Sequence, residues 1–167
     1  MVVLSEGYKR LLVERGASAE DVSVIYNWCD PSHEQRDFRA PAPDTFGLKG
    51  WFNLVYTGNL GELQALESVV RAALMVKDRL PNVRFVLVGG GTREGALRQM
   101  AEAEGASNVR FISRLPLDRL GEVLHFASLV LVHLKRHFLS EVGIPQKVQA
   151  YMAAGIPILA AVRGEAA

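Results

Sequence analysis

Residues 83–101 read VRFVLVGGGTREGALRQMA, and the fold is decided by how this stretch is read. A nearly unbroken apolar run leads straight into three glycines. A strand that is apolar at successive positions has no wet face, so it must be covered on both sides, as in a parallel sheet. Beyond the glycines, Leu97, Met100 and Ala101 recur at helical spacing, so a helix follows the strand.

The same alternation continues on either side. FNLVYTG (52–58) precedes a segment in which Leu66, Val69, Val70, Ala73 and Leu74 fall on one helical face. VRFIS (109–113) precedes PLDRLGEVLHFA, with Leu117, Leu120, Val123 and Leu124 expected on its apolar face. SLVLVHL and IPILAAV supply two further strands. Between them a helix opens at Pro145, presents Val148, Tyr151 and Met152 to the core, and closes at Gly155 ahead of Pro157. Continuous apolar strands separated by helices predict an α/β fold: a doubly wound parallel sheet of Rossmann-like type. Such sheets bind ligands at the carboxyl ends of their strands.

Residues 1–50 differ in kind. A short helix around Tyr8, Leu11 and Leu12 ends at Gly16, and residues 22–26 read as a strand. The following PSHEQRDFRAPAPDTFGLKG carries three prolines and little apolar content, so it reads as a linker or arm. The expected organisation is therefore 1–50 as the end of a preceding region with its linker, and 51–167 as one domain.

Bulk composition narrows the function classes. The chain has 167 residues, 49% hydrophobic and 22% charged, which suits one globular domain with a sizeable core. Its net charge of +1 offers no global attraction to nucleic acid, so phosphate binding would have to be local. Cys29 is the single cysteine, which excludes a disulfide framework and a thiol metal cluster and fits a cytoplasmic setting. The longest apolar stretch, AYMAAGIPILAAV, is interrupted by Gly155 and Pro157 and falls short of the roughly 20 residues a spanning helix needs.

The turns after the strands are where chemistry is expected. The first is Thr57-Gly58-Asn59-Leu60-Gly61 and the second holds Gly89, Gly90 and Gly91. GGGTREG misses the dinucleotide fingerprint because Glu94 stands where its last glycine belongs, and no phosphate loop of the GxxxxGK[ST] type occurs. Each glycine turn is open to two readings, a tight strand-to-helix turn or close approach to a ligand. In the cluster HLKRH (133–137), a solvated loop competes with contacts to an acceptor or a membrane surface. No histidine pair has zinc-site spacing, and His33 and His125 read as structural or surface residues.

Lys147 poses a question of charge. It lies in the first turn of the helix opened by Pro145, where the dipole disfavours a cation by about 0.3–1 kcal/mol. An anion placed there would meet the ammonium, unpaired backbone donors and the dipole together. Glu141, six residues earlier, offers a carboxylate to hydroxyls near the same point. The pair on the ligand edge of the sheet points to a phosphate and polyol site.

YTGNLG, VRFVLVGGG, NVRFISRLP and PQKVQAYMAAGIPILA, ending in RGE, follow the order seen in family 4-type glycosyltransferases (glycosyl transferases group 1). The sequence resembles that family from about Ile25 onward, with Asn27-x-x-Asp30 similar to its interdomain linker motif. The resemblance implies one half of a GT-B fold, specifically the C-terminal, donor-binding half, with an N-terminal acceptor-binding half that this chain lacks. It implies that Glu141 faces the transferred sugar, and that Lys147 with the backbone of Val142, Gly143 and Ile144 lies near the diphosphate. Arg114 and Leu115 correspond to the loop lining the base, and Gly58, Asn59, Gly61 and Gly90 to the glycine turns. Gln149 stands where the family usually has the carboxylate that holds the ribose. Asn59 and Gln64 stand where many members carry an Arg and a Lys that clamp the diphosphate.

Together these imply the donor domain of a retaining glycosyltransferase in polysaccharide or glycolipid synthesis. Its substrate would be an NDP-sugar, a UDP-sugar foremost, with no cofactor and no metal, since no Asp-x-Asp pair is present. Nucleic acid is not an expected partner; a membrane-associated acceptor is. The expected location is cytoplasmic, peripheral at the inner face of the membrane in a longer protein. The chain's end at Glu165-Ala166-Ala167 reads as that of an excised fragment, inactive alone. Two other classes stay open: half of a sugar-nucleotide 2-epimerase, and a non-catalytic nucleotide-binding or scaffold domain.

Overall fold

The computed structural model describes residues 1–28 and 41–167. Cys29, Asp30 and His33 lie outside the described residues. Two short strands, β1 (Val2–Val3) and β2 (Ser23–Val24), pair in parallel around helix α1 (Glu6–Glu14). This small βαβ unit contains the expected first helix and a shorter strand than 22–26; strand β1 was not anticipated. Ser5 caps α1, its hydroxyl accepting from Tyr8 N–H at 3.2 Å.

The main sheet is formed by β3 (Phe52–Asn59), β4 (Val83–Gly90), β5 (Val109–Ile112), β6 (Ala127–His133) and β7 (Ile158–Ala161). These five strands run in the order β5-β4-β3-β6-β7, every neighbouring pair parallel. The doubly wound α/β expectation is met. Between β3 and β6 the winding reverses direction, which opens a crevice at the carboxyl ends of these strands.

Continuous apolar strands follow from cover on both faces. On one face, α2 (Glu67–Val76) and α3 (Glu94–Ala103) bring Leu66, Val69, Val70, Ala73, Leu97 and Ala101 onto Tyr56, Phe85, Leu87 and Leu131. On the other, α4 (Gly121–Leu124) and α6 (Lys147–Ala153) bring Val123, Leu124, Tyr151 and Ala154 onto Val55, Val86, Val88, Val130 and Val132. Helix α5 (Phe138–Val142) sits between β6 and α6 along the chain. Two apolar assignments are corrected: Leu117 and Met152 are exposed. Leu117 falls in a short 3-10 turn ahead of α4, where the 100° helical period no longer holds. Met152 follows Tyr151 in a seven-residue helix whose buried stripe is only wide enough for Tyr151.

The packing extends upstream of Trp51. Leu48 is buried, and Phe46 packs on the same cluster, so the last turn of the Pro-rich stretch belongs to the core. Asp44 closes that turn, its carboxylate accepting from Leu48 N–H at 2.5 Å and Lys49 N–H at 3.2 Å. The β3–β6 register shifts between Asn53 and Leu54, and the Asn53 N–H turns to the Ser128 hydroxyl at 3.2 Å. The fully buried Asn53 side chain donates to the carbonyls of Leu48 and Phe126 at 2.8 and 2.9 Å, tying the upstream turn to the sheet.

Candidate functional site

The two glycine turns lie side by side because β3 and β4 pair in register, Gly58 against Gly89 and Asn59 against Gly90. Gly58 and Gly89 both have positive φ, 131° and 147°. A Cβ on Gly89 would overlap the Gly58 carbonyl, and one on Gly91 would reach Leu60 O at 2.6 Å. At Gly89 and Gly91 the tight-turn reading therefore holds: these glycines let backbone meet backbone. Gly90 differs, for a Cβ there would meet only the Glu94 carboxylate at 3.4 Å. Leu60 N–H donates to Gly90 C=O at 3.0 Å and Arg93 N–H to Leu60 C=O at 2.9 Å, which locks the turns together.

A cavity of about 270 Å³ opens at these strand ends, lined by Thr57, Gly58, Asn59 and Gly90, with Arg114 and Leu115 from the loop after β5. Lys147 reaches the same glycine turn from α6. Its Nζ stands 3.8 Å from the centroid of the Tyr56 ring and 3.0 Å from where a Gly58 Cβ would be. Burial alone pulls the ammonium down from its ordinary range to about 7. No carboxylate pairs with it among the described residues; the face of Tyr56 is what receives the charge.

Two tyrosines fix this arrangement. The Tyr56 hydroxyl donates to Asn59 C=O at 2.8 Å, pinning the turn above its own ring. The Tyr151 hydroxyl accepts from Thr57 N–H at 3.0 Å and pairs with Thr57 Oγ1 at 2.9 Å, holding α6 to the end of β3. Burial raises both phenols, so they stay protonated near neutral pH. Neither hydroxyl was anticipated. The available signal was Tyr56 as the last aromatic before a glycine turn, and Tyr151 four residues after Lys147, hence on the same helical face.

The other predicted residues are distributed differently. Gly61 lies between Asn59 and Gln64, whose side chains hydrogen-bond to each other at 3.3 Å. The two positions expected to face a diphosphate are thus occupied by a neutral amide pair. Glu141 belongs to a separate cavity of about 170 Å³ at the ends of β6 and β7, with Lys135, Arg136, Ser140 and Arg163. Its carboxylate stands 3.6 Å from the Arg136 guanidinium. The Val142 carbonyl accepts from the Ser5 hydroxyl, and Gly143 lies against the Tyr8 ring, so residues 142 and 143 are packed on α1. Ile144 leads into Pro145 ahead of α6. The Gln149 amide, oriented with its nitrogen toward its own helix start, donates to the carbonyls of Pro145 and Gln146 at 3.2 and 2.9 Å.

The HLKRH loop is tethered rather than free. His133 Nδ1 meets Gln64 C=O at 2.6 Å, Lys135 pairs with Glu62 at 2.5 Å, and His137 caps α5 by accepting from Leu139 N–H. His125 is structural, set edge-on against Phe126.

The family model described as Glycosyl transferases group 1 matches residues 52–167, the whole main sheet and both cavities. The chain belongs to this glycosyltransferase family. Among curated relatives, it is 30% identical over 159 residues to WcaI of Escherichia coli (strain K12), named as a candidate glycosyl transferase of colanic acid biosynthesis. That match covers 91% of this chain and 38% of WcaI. It is also 30% identical over 174 residues to the D-inositol 3-phosphate glycosyltransferase of Mycobacteroides abscessus, covering 93% of this chain and 37% of that protein. The chain therefore spans well under half the length of these relatives. Among solved structures, Anabaena HepE in complex with UDP superposes with a TM-score of 0.79 at 20% identity, covering 99% of this chain and 45% of HepE. WaaG, a glycosyltransferase of lipopolysaccharide biosynthesis, gives a TM-score of 0.78 at 19% identity, again covering 99% and 45%. At those identities the likeness is one of fold, and it is the fold of GT-B glycosyltransferases. Among the described residues, no helix is long and apolar enough to cross a membrane.

Proposed function

We propose that this chain is the C-terminal, donor-binding half of a retaining glycosyltransferase that takes a sugar from a nucleoside diphosphate, uridine foremost, in polysaccharide or glycolipid synthesis. The observation that carries this reading is Lys147: a desolvated amine with no carboxylate partner among the described residues, held over the Tyr56 ring and facing the Gly58 turn at the switch of the sheet. Keeping this ammonium charged without a partner is costly, which is why its pKa falls, and a diphosphate is a partner that would offset that cost. In the transfer step the bond from the sugar's anomeric carbon to the diphosphate oxygen breaks, and negative charge grows on the leaving group. Lys147 stabilises that charge as a fixed electrostatic partner. Arg114 and Leu115 line the cavity beside the Gly58 turn, and the base would rest against them. Glu141, in the neighbouring cavity, would accept hydrogen bonds from the sugar hydroxyls. The acceptor site belongs to the missing half, with a membrane-associated acceptor and a cytoplasmic, membrane-peripheral enzyme as the matching arrangement.

The test is thermal unfolding with UDP, GDP and UDP-sugars, beside Lys147→Ala. Ligand at about 100 times its dissociation constant adds roughly 2.7 kcal/mol of stability. The expected result is a UDP-dependent shift that Lys147→Ala abolishes. A folded full-length protein that responds to no nucleotide would overturn the reading. Product analysis then fixes the reaction, a new glycoside with retained anomeric configuration separating transfer from epimerisation. A nucleotide-binding domain without transfer is the second reading, favoured by the neutral Asn59–Gln64 pair and the inward Gln149 amide; it would give the shift but no product.

A further inference from the structure

The backbone of Glu141 and Val142 is touched from two sides by glycines remote in sequence. A Cβ on Gly7, in the first turn of α1, would stand 2.8 Å from Val142 Cα and 2.9 Å from Val142 O. A Cβ on Gly164, whose φ is 73°, would overlap the Glu141 carbonyl. The two sides are themselves connected. The buried Ser5 hydroxyl donates to Val142 C=O while it caps α1, and Arg10 of α1 pairs with Glu165, next to Gly164. Tyr8 closes the gap at Gly143, 3.3 Å from where a Cβ there would be.

We propose that Gly7 and Gly164 form a clamp on the Glu141–Val142 peptide, and that α1 is a positioning element for the sugar-recognising edge of the site. A five-residue helix has little stability of its own, so where Glu141 points is set by what its backbone leans on. At Gly7 and Gly164 there is room only for a hydrogen, so the backbone of α5 is held at direct contact distance on both sides. Lys147 and the glycine turns are held independently, through Tyr151 and Thr57. Because the Val142 and Gly143 backbone packs on α1 and not on the glycine turns, the clamp governs the sugar end of a donor and leaves the nucleotide end to Lys147 and those turns. This inference rests on the reading of Glu141 as the residue that meets the donor sugar.

The test is calorimetric binding of UDP and of UDP-glucose, UDP-galactose and UDP-N-acetylglucosamine to the full-length protein and its Gly7→Ala variant. The expected result is a UDP affinity within about twofold of the parent, with the ratio of UDP-sugar to UDP affinity changed tenfold or more for the tightest-binding sugar. Hydrogen exchange should accelerate across residues 138–144 in the same variant, with or without ligand. Should Gly7→Ala fail to fold, Ser5→Ala takes its place, with Ser5→Thr, which keeps the hydroxyl, expected to restore the parent ratio. UDP and UDP-sugar affinities falling together would make α1 a scaffold and overturn the clamp, as would an unchanged ratio. A parent protein that binds no UDP at all would instead remove the donor-site reading on which the clamp depends.

Discussion

Lys147 Nζ lies over the face of Tyr56, 3.8 Å from the ring centroid, and the hydroxyl of that same ring is bonded to the Asn59 carbonyl. One buried residue therefore carries both the cation and the turn that the cation faces. Replacing Lys147 by Met removes a desolvated charge and keeps the apolar stem. The free protein is expected to unfold at an equal or higher temperature, while UDP affinity falls by tenfold or more, about 1.4 kcal/mol or greater. Thermal scans with and without UDP measure both; a large loss of stability without ligand would contradict this account of Lys147.

The depressed Lys147 pKa has a sign that can be checked. In the free fold the ammonium loses its proton near pH 7, against 10.5 for the ordinary group. Between those values the unfolded chain binds more protons than the folded one, so this group's contribution to stability is full above the unfolded pKa and is lost as pH falls through about 7. A diphosphate bound as proposed would restore the charged form. UDP binding at pH 8 is therefore expected to be accompanied by net uptake of up to one proton. Calorimetry in buffers of different ionisation enthalpy reads this number, and Lys147→Met should bring it to near zero.

Glycine positions separate cleanly. Gly89→Ala drives a Cβ into the Gly58 carbonyl at a positive φ, and is expected to cost about 2–4 kcal/mol or to abolish folding. Gly95→Ala, in the first turn of α3 with open space around it, should stabilise by about 0.4–1 kcal/mol. Denaturant unfolding of the two variants under one set of conditions gives opposite shifts if the register of β3 and β4 is as described.

Tyr151→Phe deletes one hydroxyl and leaves the ring in the core. The Thr57 N–H and hydroxyl then lose their shared partner, at an expected cost of about 1–3 kcal/mol. Because Lys147 sits one turn away on the same helix, the loss of UDP affinity should exceed that of a Val148→Ala control of similar destabilisation. Equal losses in both would mean that the hydroxyl stabilises the fold without positioning the site.

Local pattern alone determined most of the architecture. Continuous apolar strands such as 83–88 demand cover on two faces, the helices between them repeat at the helical period, and glycines mark where each strand ends; none of this needs distant contacts. Where the pattern was short, it failed, as at Leu117 in a 3-10 turn and Met152 at the margin of a seven-residue helix. The place of Lys147 at the strand-end edge of the sheet was likewise legible from its position after Pro145, but its desolvation was not, because that depends on packing against a tyrosine 91 residues away in the chain. Tertiary structure alone decided that Gly58 lies against Gly89, that Asn59 and Gln64 satisfy each other, and that Glu141 occupies a cavity of its own. It also decided that α1, read in the sequence as part of a preceding region, leans on the Glu141 helix. Period and propensity act over a few residues, whereas contact between surfaces is set by how a whole sheet is wound.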